Sequence, residues 1–223
     1  MLRKPAQVGF RALLGGLQVE KRDYKKELRF LYGPTAREVG AVVVPAMNFL
    51  MVDGEGNPNS AAGYKEAVGA LFSVAYTLKF MVKKAGVEDY GVMPLEGLWW
   101  TADGKVGVPE NKDDFLWTMM IMQPEAVTHE MVAAAVGQVR EKKGLVGLER
   151  VHFERFEEGR SAQILHVGPF ATEGPTVARI DAFIAERGGQ MAGKHHEIYL
   201  TDMTKTAPER LRTVVRHPFV VGG

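Results

Sequence analysis

Two stretches of the chain, Pro94-Leu95-Glu96-Gly97-Leu98-Trp99-Trp100 and His195-His196-Glu197-Ile198-Tyr199-Leu200, each set one carboxylate inside an apolar, aromatic run that reads as a β-strand. A carboxylate among large apolar side chains has to be hydrogen-bonded, paired, protonated or open to a ligand, because uncompensated burial is heavily penalised. That this costly arrangement occurs twice points to duplication, and to a cleft between the copies.

From residue 39 onward the chain reads as two passes through one plan, 39–124 and 149–218. Each pass has two adjoining strands, a helix, a Glu-bearing strand and a last strand ending in proline. The first strand pair is expected at 39–44 and 47–52, turned by Pro45-Ala46, and its counterpart at 151–156 and 161–167, a hairpin through Glu157-Glu158-Gly159-Arg160. Apolar residues at spacings of three and four predict helices over 62–85, stopping at Gly86, and 174–187, with Pro175 in the first turn and Gly188-Gly189 at the end. The last strands are expected at 115–123 before Pro124 and 211–217 before Pro218. A third helix over 128–142, capped by Thr128, joins the halves. The fold class is therefore α+β: duplicated βαββ-type repeats, an antiparallel sheet backed by helices on one face, and a central ligand groove.

A chain of 223 residues with 46% hydrophobic content can bury a sizeable core. Lys and Arg number 28 against 27 Asp and Glu, so no overall field draws in nucleic acid or an anionic membrane, and any partner is recognised locally. The absence of cysteine excludes disulfides, thiolate nucleophiles and cysteine-based metal sites, and is compatible with a cytoplasmic location. No apolar run reaches 18 residues, and no membrane span is expected. Residues 1–22 read as an N-terminal extension. Arg3, Lys4 and Arg11 give it a basic character, but Pro5 and Gly15-Gly16 interrupt any amphipathic helix and serine is missing, which argues against a targeting segment. A monomer and a homodimer are both compatible with the sequence.

Along a strand, side chains alternate between faces, so His195, Glu197 and Tyr199 share one and His196, Ile198 and Leu200 the other, more core-like one. In the first copy Pro94, Glu96, Leu98 and Trp100 share a face, and both carboxylates are expected to look into one groove. Aromatic walls and acidic groups suit flat, hydrophobic or cationic aromatic molecules. Tyr64 and Trp100 are expected to form walls, with Met47, Met51, Met119, Met120 and Met122 as adaptable contacts or ordinary core. The plainer alternative for Glu197 is a carboxylate that merely accepts hydrogen bonds from backbone or arginine. A metal site needs at least three ligands; adjacent histidines diverge, so only His195 and Glu197 converge, and His152, His166 or His217 would have to join through tertiary contacts. No metal and no cofactor are expected. Ser161, His166 and Asp202 form no nucleophile elbow, and Asp53-Gly54-Glu55-Gly56 lacks the lysine of a phosphate loop.

With these segments, together with residues 45–56, 121–124 and Gly193-Lys194, the chain resembles the GyrI-like small-molecule-binding family over about residues 24–221, in its stand-alone branch. The resemblance implies a duplicated fold of the SHS2 type with an acidic residue on the groove floor. Members similar to this branch are associated with hydrolysis of cyclopropane-containing, DNA-alkylating natural products, a detoxifying reaction. It further implies that Glu197 is the groove acid and Tyr199 the aromatic hydroxyl beside it, acting as water-activating base and as donor to the carbonyl oxygen, whereas Glu96 rests on the repeat argument alone. An apolar setting would raise the pKa of Glu197 and make it a better base. A multidrug-binding or sequestering module would use the same groove without chemistry. A gyrase-inhibitor-type interaction would need a charged strip, for which Lys142-Lys143 and Arg210, Arg212 and Arg216 are candidates.

Overall fold

The computed structural model describes residues 21–103 and 111–222. The expected extension over 1–22 therefore lies outside the described residues except for Lys21 and Arg22. Those two form β1 (Lys21–Arg22), which pairs in parallel with β4 (Asp89–Tyr90), so they belong to the fold. Two short helical turns follow, α1 (Tyr24–Glu27) and α2 (Arg29–Tyr32).

The principal sheet contains β2 (Gly40–Val44), β3 (Met47–Glu55), β5 (Leu95–Thr101), β6 (Phe115–Gln123), β7 (His152–Phe156), β8 (Gly159–Val167), β10 (His195–Tyr199) and β11 (Arg212–Val221). Their order is β2-β8-β11-β10-β5-β6-β3-β7, antiparallel throughout, with β9 (Gly189–Met191) paired to the end of β11. The two Glu-bearing strands, β5 and β10, are the central pair. On one side of that pair β6 and β3 follow in turn, and on the other β11 and β8.

The expected hairpins do not form. β2 pairs with β8 and β7 pairs with β3, so the first strand of each pass completes the margin of the other half. Pro45-Ala46 and Glu157-Glu158 are crossovers between opposite ends of the sheet. Only three Cα steps lead from Val44 to Met47, about 11 Å at full extension, and three more from Phe156 to Gly159, which obliges the sheet to bend until its margins approach. It encloses the side where Phe49, Met120, Ile198 and Val214 are buried with Leu31 and Tyr32 of the short helix α2.

The other side carries the long helices. α3 (Ala62–Lys84) buries Ala67, Leu71, Val74, Ala75 and Leu78 against β3 and β6 and is followed by Gly86 at a positive φ of 71°. α5 (Gly174–Ala185) packs Ile180 and Ile184 on Ala162, Ile164, Val215 and Phe219 of β8 and β11. Between the halves, α4 (His129–Lys143) lies against α3; Thr128 caps it by accepting the Met131 N–H at 3.3 Å, and Gly144 closes it in the left-handed region. β11 does not stop at Pro218. The strand changes partner there from β10 to β9, and the Pro218 carbonyl accepts from Ala192 N–H at 2.9 Å, so the missing proline N–H falls at a junction in the ladder. Among the described residues, no helix is long and apolar enough to cross a membrane.

Candidate functional site

Strand register decides which side chains meet. Glu197 pairs with Gly97, which pairs with Met119, and His195 pairs with Trp99, which pairs with Trp117. Those side chains, with Leu95 and Tyr199, stand on the helix side of the sheet. Gly97 has a physical reason to lack a side chain: a Cβ there would lie 2.3 Å from Met119 Cε, 2.7 Å from Trp99 Nε1 and 3.1 Å from the Tyr199 hydroxyl. In the space it leaves, the Trp99 indole N–H donates to the Tyr199 hydroxyl at 3.0 Å. Tyr64, in the first turn of α3, stands 6.1 Å from Trp99 and edge-on to Trp117 at 5.4 Å, while Phe115 meets Trp99 edge-on at 5.3 Å. From the other half, Phe170 meets Tyr199 edge-on at 5.8 Å. The result is an aromatic cluster between the starts of α3 and α5, in which Trp99, Trp117 and Tyr199 are buried.

An ionisable cluster around His195 lies beside Tyr199 on the same strand. His195 Nε2 lies 3.0 Å from Glu197 Oε1 and 3.7 Å from Glu173 Oε2, Glu173 coming from the turn that opens α5. The other ring nitrogen, Nδ1, lies 2.8 Å from His217 Nε2. Burial pushes the Glu197 carboxyl upward, but His195, Tyr199 and Glu173 outweigh it and hold the group below its ordinary range, opposite to the expected rise. Burial instead raises Glu173 to about 7, its neighbour Glu197 adding to the effect against His195. Burial alone would lower His195; the two carboxylates reverse this and raise it to about 9. The side chain of Glu197 remains 14% exposed and that of His195 10%, so water reaches the cluster. Glu173, His195 and Glu197 each offer one donor atom within 4.8 Å of the others, which is the smallest set a metal could use. His195 hydrogen-bonds Glu197, while Glu173 stands at charge-contact distance from the same ring nitrogen.

Of the residues expected at the site, the structure brings together Tyr64, His195, Glu197 and Tyr199. Glu96, Leu98 and Trp100 are on the far side of the sheet, because Glu96 pairs with Ile198 and not with Glu197. The two carboxylates thus face opposite directions. Glu96 is buried in a network of its own: it accepts from the Tyr32 hydroxyl at 2.7 Å and faces His196 Nε2 at 3.1 Å, while His196 Nδ1 meets Glu158 at 3.1 Å. Arg216 completes it by donating to Glu158 at 3.0 Å, Gln163 at 2.9 Å and the Leu31 carbonyl at 2.8 Å. Arg216 is 1% exposed, so it belongs to no basic surface strip. Trp100 stacks under the Lys194 ammonium at 3.3 Å, and Met47 packs on the enclosed side next to Phe156. Met51, Met119, Met120 and Met122 are core residues.

Glu173, Trp99 and Phe170 were not anticipated at the site, and His217, considered only as a further metal ligand, meets His195 by a ring nitrogen contact at 2.8 Å. For Trp99 a signal existed in Gly97, since a glycine inside a strand marks a close approach by another group. Glu173 carries none, since it reaches His195 only through tertiary packing. Two surface depressions of about 380 and 410 Å³ lie elsewhere, beside Arg160, Phe219 and Val221 at the β8–β11 margin. Neither is lined by Glu173, His195 or Glu197.

Comparison with known proteins places the chain among others. The family described as GyrI-like small molecule binding domain matches residues 38–219. A conserved protein of Listeria innocua, described as uncharacterized, has a solved structure 42% identical to this chain, with a TM-score of 0.83 over 89% of this chain and 99% of that one. A second Listeria innocua structure, named a hydrolase, is 41% identical, with a TM-score of 0.82 over 90% of this chain and all of that one. The C-terminal domain of EcmrR, 9% identical with a TM-score of 0.53 over 83% of this chain and 98% of its own, shares the fold alone. Among curated proteins none matches.

Proposed function

The chain belongs to the family of GyrI-like small molecule binding domains, and on that premise we propose that it binds flat, hydrophobic aromatic molecules in the Tyr64–Trp99–Tyr199 cleft and hydrolyses cyclopropane-containing, DNA-alkylating electrophiles. The observation that carries the reading is Glu197: an ionised carboxylate, partly open to water, beneath aromatic rings, with a histidine fixing its orientation. The hydrolase name borne by the Listeria structure supports catalysis.

In this reading, water attacks the strained ring carbon while Glu197 accepts one of its protons. The carbon–carbon bond breaks, and its electron pair moves through the conjugated dienone to the carbonyl oxygen, which becomes a phenolate. Tyr199 does not serve as donor to that oxygen, because its hydroxyl accepts from Trp99 and hydrogen-bonds to Glu197. Tyr64 takes the role: it feels the charge of Glu197, and its hydroxyl has no side-chain hydrogen bond among the described residues. One water is added overall, its oxygen on carbon and its two protons on the new alcohol and the phenol. Aromatic walls hold the planar substrate in line for attack.

Incubation with a cyclopropyl-dienone electrophile and mass detection of the water adduct tests the proposal. Wild type should form the adduct, and Glu197→Gln should bind the compound without turning it over. An adduct formed by Glu197→Gln at the wild-type rate would remove the base role. The pairing of Glu197 with His195 weakens it as a base and favours a second reading, capture without chemistry, which tight binding with no adduct in wild type would establish.

A further inference from the structure

We propose that Asp181 and His217 are positioning residues that make His195 a donor at both ring nitrogens, and through it keep Glu197 an acceptor. The inference follows the ring nitrogens one at a time. His195 Nε2 faces carboxylate oxygens at 3.0 and 3.7 Å, so it carries hydrogen. Between His195 Nδ1 and His217 Nε2, 2.8 Å apart, one nitrogen donates and the other accepts. If His217 donates, His195 is neutral; if His217 accepts, His195 is a cation.

The choice is made at the far nitrogen of His217. That Nδ1 is buried without a hydrogen-bond partner, and a carboxylate oxygen, Asp181 Oδ1, stands 3.4 Å from it. An N–H dipole pointing at a carboxylate is favoured over a lone pair pointing at it. His217 therefore carries its hydrogen on Nδ1, its Nε2 accepts, and His195 carries both hydrogens. The cation then lies between Glu197 on its own strand and Glu173 from the start of α5, with Asp181 from the middle of α5 and neutral His217 on β11 behind it; Glu158, across the sheet, acts on His217. The raised value of His195, about 9, and the value of His217, lowered to about 3 by burial and by the His195 charge, agree with this assignment. A half-exposed aspartate on α5 thus sets the tautomer of one buried histidine and the charge of the next, as outer groups orient ligating or catalytic imidazoles elsewhere.

The consequence for turnover rests on the function proposed above; the protonation pattern does not. Nitrogen-15 NMR of the histidine rings in the full-length protein near neutral pH reads both tautomer and charge. Wild type should show His217 protonated at Nδ1 only and His195 at both nitrogens. In Asp181→Ala, a surface change, His217 should move its hydrogen to Nε2 and His195 should lose the one on Nδ1, its titration midpoint falling by about one pH unit or more, a tenfold change in proton affinity. Asp181→Glu should restore the wild-type pattern. Wild-type His217 protonated at Nε2, or an unchanged pattern in Asp181→Ala, would overturn the assignment. Because no ligand is involved, a wild type that binds and hydrolyses nothing would end the proposed function and leave this result intact.

Discussion

Gly97 and Glu197 face each other across the pairing of β5 and β10, and the missing side chain of the one makes room for the aromatic roof over the other. The Trp99–Tyr199 hydrogen bond passes through the volume that a Cβ would fill. Met119 Cε is the end of a flexible side chain and can yield, but the indole nitrogen at 2.7 Å belongs to a packed ring. Gly97→Ala should therefore destabilise the fold by about 1–3 kcal/mol, the usual range for overpacking. It should also separate Trp99 from Tyr199, seen as a changed tryptophan emission and weaker binding of aromatic ligands. Unaltered emission and affinity would show that the cleft does not depend on this glycine.

Glu96 sits one residue from Gly97 and serves stability on the enclosed side. Its carboxylate holds the Tyr32 hydroxyl and one edge of His196. Glu96→Gln keeps the shape and removes the charge, and should cost about 1.5–3 kcal/mol, the range for a hydrogen bond to a charged group. Ligand affinity should stay within about twofold of wild type, since 1.4 kcal/mol is needed for a tenfold change. Urea denaturation and a binding titration on the same sample check both, and a large loss of affinity without loss of stability would return Glu96 to the ligand site.

The network around Glu158 should govern acid stability. Burial pushes this carboxyl up, but His196 and Arg216 outweigh it and hold the group at about 2 against an ordinary 4.5. With the folded value depressed, its stabilisation is complete above pH 4.5 and is lost as pH falls from there toward 2. Glu158→Gln should cost about 3–5 kcal/mol at neutral pH by leaving Arg216 and His196 short of a counter-charge, and should flatten the stability profile across that acid window. Equal slopes for wild type and variant in denaturant titrations between pH 4.5 and 2 would disprove the assignment.

The helices and the alternation within each strand were legible because both depend on neighbours a few residues apart. The stripe from Ala67 to Leu78, the cap at Thr128 and the shared face of His195, Glu197 and Tyr199 all belong to this class. What joins the strands was not legible. Whether Glu197 meets Glu96 or Gly97 is a one-residue difference in register between strands 100 residues apart, and that slip moves Glu96, Leu98 and Trp100 to the other side of the sheet. The exchange of β2 and β7 between halves was hidden for the same reason: short turn-like links suggest hairpins, and only the closure of the whole sheet shows that they are crossovers. Glu173 lies just before Gly174-Pro175, where sequence reads only a helix start, and its approach to His195 is tertiary.

Glu173 gives the site its own pH dependence. Burial raises its carboxyl to about 7, so below that value the cluster holds a neutral Glu173, an ionised Glu197 and a cationic His195, and carries no net charge. Above it, and until His195 titrates at about 9, the cluster carries one negative charge. A permanently cationic, planar dye should bind about tenfold more tightly at pH 8 than at pH 6, from a Coulomb contribution of about 1–2 kcal/mol at an effective dielectric near 20. Stability runs the other way: the folded state keeps this proton after the unfolded state has lost it, so the Glu173 contribution falls as pH rises from 4.5 through 7. Glu173→Gln should therefore abolish the pH dependence of dye binding and be more stable than wild type above pH 7. Fluorescence titrations and thermal unfolding at the two pH values measure both effects. If the variant retains the wild-type pH dependence, the titrating group near the cleft is not Glu173.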